Sequence, residues 1–267
     1  MDKYSIPVSL SADEKKVSQI FSDIEKSRLS CPQVCSSLIA GKEANFIQCP
    51  KADDENNPTA LTSSTQNCSQ FLKYRGYILR SMTKEEEQFP VAFSILVYCC
   101  PHQVEALLRA IYRPQNYYCI HIDSKSSGTF KKCMRSLADC LPNVFIATKM
   151  EKVKWGNFGV VAAELSCPLS SINAVPFLSR YKIWSDDVNG ICGGYYRRGV
   201  CVFGPDDLPR LVNRFELFAN KFTGNNPDNV ITRRCLDEWL FNRTRNEYLR
   251  RYTFDLRPYH SLPQVYP

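Results

Sequence analysis

No apolar run in these 267 residues reaches the ~18 residues that a transmembrane helix needs. Met1–Ile20 also lacks the basic-then-apolar layout of a secretory leader. Histidine is scarce, at three residues, and no two cysteines stand in a Cys-x-x-Cys pair. Those shortages argue against structural zinc and against thioredoxin-type redox chemistry, both of which need closely spaced ligands. No basic run is interleaved with aromatics, so an extended nucleic-acid footprint is excluded. The net charge of +7, from 34 Lys+Arg against 27 Asp+Glu, suits either an anionic ligand or a plainly solvated basic surface. Taken alone, these absences read as a soluble cytosolic protein.

Cysteine, by contrast, is plentiful. Thirteen in one chain is a heavy load; without zinc spacing the chemistry left for them is the disulfide, which belongs to a secretory lumen. Asn67-Cys68-Ser69 and Asn242-Arg243-Thr244 are N-glycosylation sequons and agree with that compartment. The odd count leaves at least one thiol unpaired.

The chain is organised around Phe89–Asp123, which reads as strand, helix, strand. Phe89–Tyr98 is a near-continuous apolar run, the pattern of a strand buried on both faces of a parallel sheet. Pro101 fits the first turn of the helix that follows, Val104, Leu107, Leu108 and Ile111 share one apolar face, and Pro114 stops it. Tyr117–Ile122 is a second strand delivering Asp123 and Lys125 at its carboxyl end, where open α/β sheets bind ligands. Ser126 or Ser127 caps a further helix with Phe130, Cys133, Met134 and Leu137 on its core face, which makes Cys133 a buried thiol. Val144–Ala147 is a third strand, and a helix carries Phe158, Val161, Ala162 and Leu165. Two right-handed β-α-β units are the natural assembly.

Residues 1–88 read as a polar stem with short helices, in which Lys51–Gln66 is the most flexible part because it has few apolar groups to offset the entropy of ordering. Residues 89–267 read as the main domain. Beyond Pro168 the period fades, and Cys192-Gly-Gly-Tyr-Tyr-Arg-Arg-Gly-Val-Cys201 looks like a small disulfide loop presenting Arg197 and Arg198. Such arginines either grip a phosphate in bidentate fashion or sit in solvent. Asp206 or Asp207 starts a helix with Leu208, Leu211, Val212, Phe215 and Ala219 on its core face. Lys221 at its end complements the helix dipole. Cys235–Leu249 is a last amphipathic helix.

Two blocks carry a resemblance. Arg109–Lys125, RAIYRPQNYYCIHIDSK, continued by Cys140–Phe145, and Gly199–Phe222, GVCVFGPDDL…LFANKF, with Cys235-Leu-Asp-Glu, resemble the core-2 and I-branching β-1,6-N-acetylglucosaminyltransferases of the Golgi. That resemblance implies an α/β, Rossmann-like sheet of the glycosyltransferase-A type with flanking helices, disulfide-stabilised and here incomplete. It also implies UDP-N-acetylglucosamine as donor and an O-glycan glycoprotein as acceptor. No metal or other cofactor is implied: Asp123-Ser124-Lys125 offers no second aspartate for a cation, and Arg198 and Lys221 match the cationic residues that replace it at the leaving diphosphate. Leu96, Val97, Tyr98, Asp123, Ser124, Lys125 and Trp155 match segments that contact uridine and sugar, and Trp184 matches an acceptor-stacking tryptophan. Position by position, the implied bridges are Cys68–Cys140, Cys119–Cys167, Cys192–Cys201 and Cys35–Cys235, which leaves five cysteines unpaired.

Between Cys167 and Tyr181 this chain departs from the family, carrying about a dozen residues where relatives hold a long segment with the catalytic glutamate, the general base of an inverting single displacement. No residue matches that glutamate, and nothing in the sequence places Glu164 or Glu238 at the site. The expectation is a chain with an internal deletion near residues 168–181 and little or no transferase activity, in the Golgi lumen. The rival expectations are a non-catalytic luminal UDP-sugar- or partner-binding module and a cytosolic cysteine-rich protein. A membrane anchor is expected of full-length relatives and is not found in this sequence.

Overall fold

The computed structural model describes residues 31–45, 49, 57–154, 157–167, 180–187, 190–216, 218–219, 221–222, 226–253, 255 and 257, with single positions between 15 and 25. At its centre three parallel strands, β1 (Ala92–Val97), β2 (Tyr117–Ile122) and β3 (Val144–Ile146), lie in the order β1-β2-β3. The chain therefore steps one way across the sheet, and helices make the returns. Among the described residues, short helices with defined bounds precede it: α1 (Pro32–Ile39), α2 (Pro58–Ser64), α3 (Cys68–Arg75) and α4 (Lys84–Gln88). Helix α5 (Pro101–Ile111) joins β1 to β2, and α6 (Gly128–Asp139) joins β2 to β3. This is the α/β arrangement expected, with the central elements at or within a residue or two of their expected bounds, though β1 is confined to Ala92–Val97.

Side-chain spacing explains the core. Helix α6 starts where the Ser127 hydroxyl accepts from the Phe130 amide at 3.2 Å, an N-cap that satisfies an otherwise orphaned donor. Phe130, Cys133, Met134 and Leu137 are all buried against the sheet, each large apolar side chain contributing ~1.5–3 kcal/mol. On the other side of α6, Leu61 of α2 and Phe71 and Leu72 of α3 join the same core. The stretch expected to be most flexible is thus partly helical: Pro58–Ser64 forms α2, with the Asn57 side chain as its cap, because Leu61 has a core to enter.

Three apolar faces differ from expectation. Leu107 is 38% exposed, and Glu105 is buried in its neighbourhood, held by Arg75 and Arg109. Phe158 stands outside helix α7 (Gly159–Leu165) and is 72% exposed. Strand β1 is only half buried over most of its length, since it lies at the edge of the sheet.

The second half of the chain is built of short pieces. Strand β4 (Arg180–Tyr181) pairs in parallel with β7 (Phe218–Ala219), and β5 (Tyr195–Arg197) pairs antiparallel with β6 (Val200–Val202). The helix expected from Asp206 to Ala219 is a 3₁₀ turn, Pro205–Asp207, followed by α8 (Leu208–Leu211). It stops early because the Asn213 side-chain amide donates to the Pro209 carbonyl at 2.7 Å, a local bond that competes with the helix ladder. Phe215 is consequently exposed, and Ala219 leaves the helix face to pair with Tyr181. Helix α9 (Pro227–Tyr248) begins eight residues before Cys235, capped by the Asn226 side chain with Pro227 in its first turn.

Disulfides join these parts. Cys35–Cys235 fastens α1 to α9, Cys68–Cys140 fastens α3 to the end of α6, Cys119–Cys167 ties β2 to the segment after α7, and Cys192–Cys201 closes the β5–β6 hairpin. A fifth, Cys31–Cys49, reduces the unpaired cysteines from the five expected to three: Cys99, Cys100 and Cys133. Among the described residues, no helix is long and apolar enough to cross a membrane.

Candidate functional site

The register of the sheet sets one wall of the site. Val97 stands opposite Ile122, so the next residues, Tyr98 and Asp123, leave the carboxyl edge side by side. The Asp123 amide donates to the Val97 carbonyl at 2.9 Å, and the Ser126 hydroxyl donates to the Tyr98 carbonyl at 2.8 Å. Val97 is buried, Leu96 half-buried, and Tyr98 exposed beyond them. Lys125 folds back over this edge: its ammonium lies 3.3 Å from the Asp123 carboxylate, donates to the Val153 carbonyl at 2.5 Å and sits 5.5 Å from the Tyr98 ring centroid. Ser124 is held at both ends, its amide donating to the Glu151 carbonyl and its carbonyl accepting from the Lys131 ammonium. Beneath them the buried His121 ring accepts from the Glu151 amide at 2.9 Å through Nε2. Burial lowers the His121 pKa by more than Asp123 and Glu151 raise it.

The hairpin β5–β6 carries the second group of candidate residues. Arg198 and Gly199 both have positive φ, 54° and 74°, the requirement of a tight two-residue turn whose twist matches its strands. Gly194 meets the partner strand so closely that a Cβ there would lie 2.0 Å from the Val202 carbonyl oxygen. The hairpin is anchored by the buried Asp207 carboxylate, which accepts from the Gly193 and Gly204 amides at 2.9 Å each and pairs with Arg210.

Lys221 comes to this turn along the backbone. Its amide donates to the Cys201 carbonyl and its carbonyl accepts from Phe203, so it extends the hairpin and does not cap a helix. Its ammonium donates to the Arg197 carbonyl at 2.5 Å. Desolvation first, then Arg197 and Arg198, lower its pKa. Among the described residues neither Arg198 nor Lys221 meets a carboxylate. Trp184 lies on the same hairpin, bridged to Val200, with the Lys182 ammonium 5.3 Å from its ring centroid. Arg197 links the two groups electrostatically: its charge acts on the thiols of Cys99 and Cys100, next along the chain from Tyr98.

The structure thus brings together Leu96–Tyr98 with Asp123–Lys125, and Arg198 with Lys221 and Trp184. Trp155 lies outside the described residues, as does the side chain of Glu164. Glu238 is engaged elsewhere, its carboxylate accepting from the Cys31 amide at 2.9 Å. The sequon residue Asn67 is exposed and caps α3, while Asn242 lies on α9. Among the described residues the one cluster with metal-ligand spacing is Cys192, Cys201 and Asp207, and its two sulfurs are bonded to each other.

Sequence reasoning missed Asp207 as the hairpin anchor, because an aspartate before a leucine run reads as a helix cap; the two glycines it binds, 14 and three residues away, were the available signal. It also passed over the adjacent pair Cys99–Cys100.

Residues 91–172 match the family model described as Core-2/I-Branching enzyme. Among curated proteins, the chain is similar to human beta-1,3-galactosyl-O-glycosyl-glycoprotein beta-1,6-N-acetylglucosaminyltransferase, 42% identical over 110 residues, covering 41% of this chain and 26% of the relative. It is also similar to the human form 3 of that enzyme, 38% identical over 140 residues (50% of this chain, 32% of the relative), and to the form 3 of Bos taurus, 43% identical over 134 residues (50% and 29%). The chain therefore spans between about a quarter and a third of the length of the relatives it matches.

Proposed function

We propose, on the premise that this chain belongs to the core-2/I-branching enzyme family through residues 91–172, that its crevice binds the uridine diphosphate of UDP-N-acetylglucosamine. The reaction served is β-1,6 transfer of N-acetylglucosamine to galactose- or N-acetylgalactosamine-containing O-glycans of glycoproteins. The observation that carries this reading is the convergence of Arg198 and Lys221 on one turn with no carboxylate to neutralise them among the described residues. Unpaired cations held by main-chain geometry form an anion site, and a departing diphosphate needs preorganised positive charge where its own develops. The Lys221 pKa, depressed first by burial and then by Arg197 and Arg198, fits this role, since a bound anion would offset both the lost solvation and the repulsion.

No metal is needed in this scheme. The Lys125 ammonium, 3.3 Å from the Asp123 carboxylate, pairs with it directly. Tyr98, Asp123 and Ser124 line the uridine and sugar side, and Trp184 offers a stacking face to the acceptor. The setting is the Golgi lumen, where an oxidising environment preserves five disulfides.

Catalysis by this chain is weak in the same reading, because no residue matches the family's general base and the carboxylates of the described residues nearest the proposed donor wall are engaged. Asp123 is held by Lys125, Glu151 by Lys149 at 2.5 Å and Glu238 by Cys31. What survives is donor binding. Calorimetric titration with UDP and UDP-N-acetylglucosamine in the presence of a chelator, alongside a transfer assay on an O-glycan acceptor, tests both parts. UDP binding with turnover far below that of a full-length relative is expected. Absence of UDP binding sinks the donor-site reading, and full turnover sinks the claim of impairment.

A further inference from the structure

Of the three free cysteines, Cys133 is buried in the core, whereas Cys99 and Cys100 are adjacent, exposed and half-buried respectively, and follow Tyr98 at the carboxyl end of β1. Their sulfurs lie 2.8 Å apart. Cys100 holds a left-handed backbone, φ 64° and ψ 65°, at the head of the eleven-residue helix α5, a conformation uncommon for any residue but glycine, asparagine or aspartate. That geometry turns two neighbouring side chains, which ordinarily diverge in extended backbone, toward each other. We propose that Cys99 and Cys100 are a redox modification site that closes reversibly into a vicinal disulfide.

The chemistry balances with a small-molecule disulfide, such as oxidised glutathione, as the oxidant. The Cys99 thiolate attacks one sulfur of that disulfide, forming a mixed bond and releasing one thiolate. Cys100 then gives up its proton, attacks the Cys99 sulfur and expels the second. Two protein thiols lose two electrons and two protons, and one external disulfide becomes two thiols. The environment divides the roles. A hydrogen bond from Cys100, against the opposing effect of burial and with help from Arg197, lowers the Cys99 thiol to about 7. Cys100, which holds the shared proton, is raised. The attacking thiol is thus the more readily ionised of the two, as a reactive cysteine requires.

Reversibility follows from covalent geometry. Consecutive Cα atoms are ~3.8 Å apart, below the ~4.4 Å minimum usual for a disulfide. A bond forced across that span is strained and readily reduced, unlike the structural bridges elsewhere in the chain. Its closure is felt next door: Tyr98 shares a peptide bond with Cys99, and its carbonyl holds the Ser126 hydroxyl of the Asp123–Ser126 turn. Oxidation therefore changes the donor wall, an extension that rests on the proposed nucleotide site.

The full chain, equilibrated in glutathione buffers of graded oxidising strength, is denatured in the presence of an alkylating reagent and mapped by mass spectrometry. Three alkylated cysteines are expected under mild reduction and one, Cys133, after oxidation, with the peptide spanning Cys99 and Cys100 lighter by two hydrogens. Phenylarsine oxide, which bridges paired thiols, is captured by the reduced form alone, and Cys99→Ser abolishes both signals. Glutathione left on Cys99, a bond between two chains, or two free thiols in a buffer that maintains the other disulfides each overturn the proposal. UDP titration of the two forms completes the test: a severalfold difference in affinity supports the coupling and equal affinity overturns it. Failure of both forms to bind UDP refutes the nucleotide site, leaving the thiol count to decide the redox site.

Discussion

The Lys221 ammonium donates to the main-chain carbonyl of Arg197, one residue before the turn at Arg198. A lysine bound to a carbonyl retains its full charge, so this contact orients the cation without neutralising it. Replacing Arg198 and Lys221 together by alanine removes one cation from an exposed position and one from a half-buried one. The expected result is UDP binding weakened by at least about 10–100-fold, on ~1.5–3 kcal/mol for each charge-assisted hydrogen bond, with an unchanged circular dichroism spectrum. Equal UDP affinity in the double variant would show that these residues do not hold the diphosphate.

Glu105 is fully buried between Arg75 and Arg109, and Arg109 in turn reaches Asp237 of α9 at 3.0 Å. Burial by itself raises the Glu105 pKa, but the two guanidinium groups outweigh it and leave it lowered. Glu105→Ala strands buried positive charge and should destabilise the fold by about 3–5 kcal/mol, read as a shift in the denaturant midpoint. Because the folded pKa is lowered, the carboxylate's contribution is complete above the unfolded value of ~4.3 and is lost as pH falls through the folded one. A variant as stable as the parent chain would mean that the network is decorative.

The depressed pKa of His121 predicts a second pH dependence, closer to neutrality. In the unfolded chain the imidazole titrates near ~6.5, and in the folded chain below it. On acidification the unfolded state takes the proton first, so stability is intact above ~6.5 and declines below it, by at most ~1.4 kcal/mol per pH unit. Urea midpoints compared at about pH 7.5 and about pH 5.5 should show the decline, and His121→Gln should flatten it. An identical slope in the variant would assign the acid sensitivity to another group.

Removing the Cys35–Cys235 bridge by a double serine substitution should cost up to about 4–5 kcal/mol, since the loop it closes is 200 residues long and the stabilisation grows with the logarithm of length. Loss of Cys192–Cys201, which closes nine, should cost less globally and act chiefly on the hairpin. Differential scanning calorimetry of the two variants separates the cases, and a reversed order would place most of the effect in native-state packing.

The elements around β1, β2 and α6 were legible because each follows one period: apolar runs for buried strands, helical spacing for Phe130, Cys133, Met134 and Leu137. Asp123 and Lys125 followed from their place at a strand end, a rule of topology. The stretch after Tyr181 was not legible, because its conformation is set by isolated groups: the Asn213 amide that ends α8, the Asp207 carboxylate that gathers two glycine amides, and positive φ at Arg198 and Gly199. None of these leaves a periodic trace. Leu107 and Glu105 exchanged places for a similar reason, since helical spacing cannot register that Arg75 stands ready to pair with a buried carboxylate.

The bond between Cys35 and Cys235 also makes the molecule a closed ring over most of its length. A protease that cuts one exposed peptide between those positions opens the ring but detaches nothing, because both ends of the cut still lead to the same sulfur bridge. A nicked chain would migrate whole on a denaturing gel without reductant and fall apart into pieces when reductant is added.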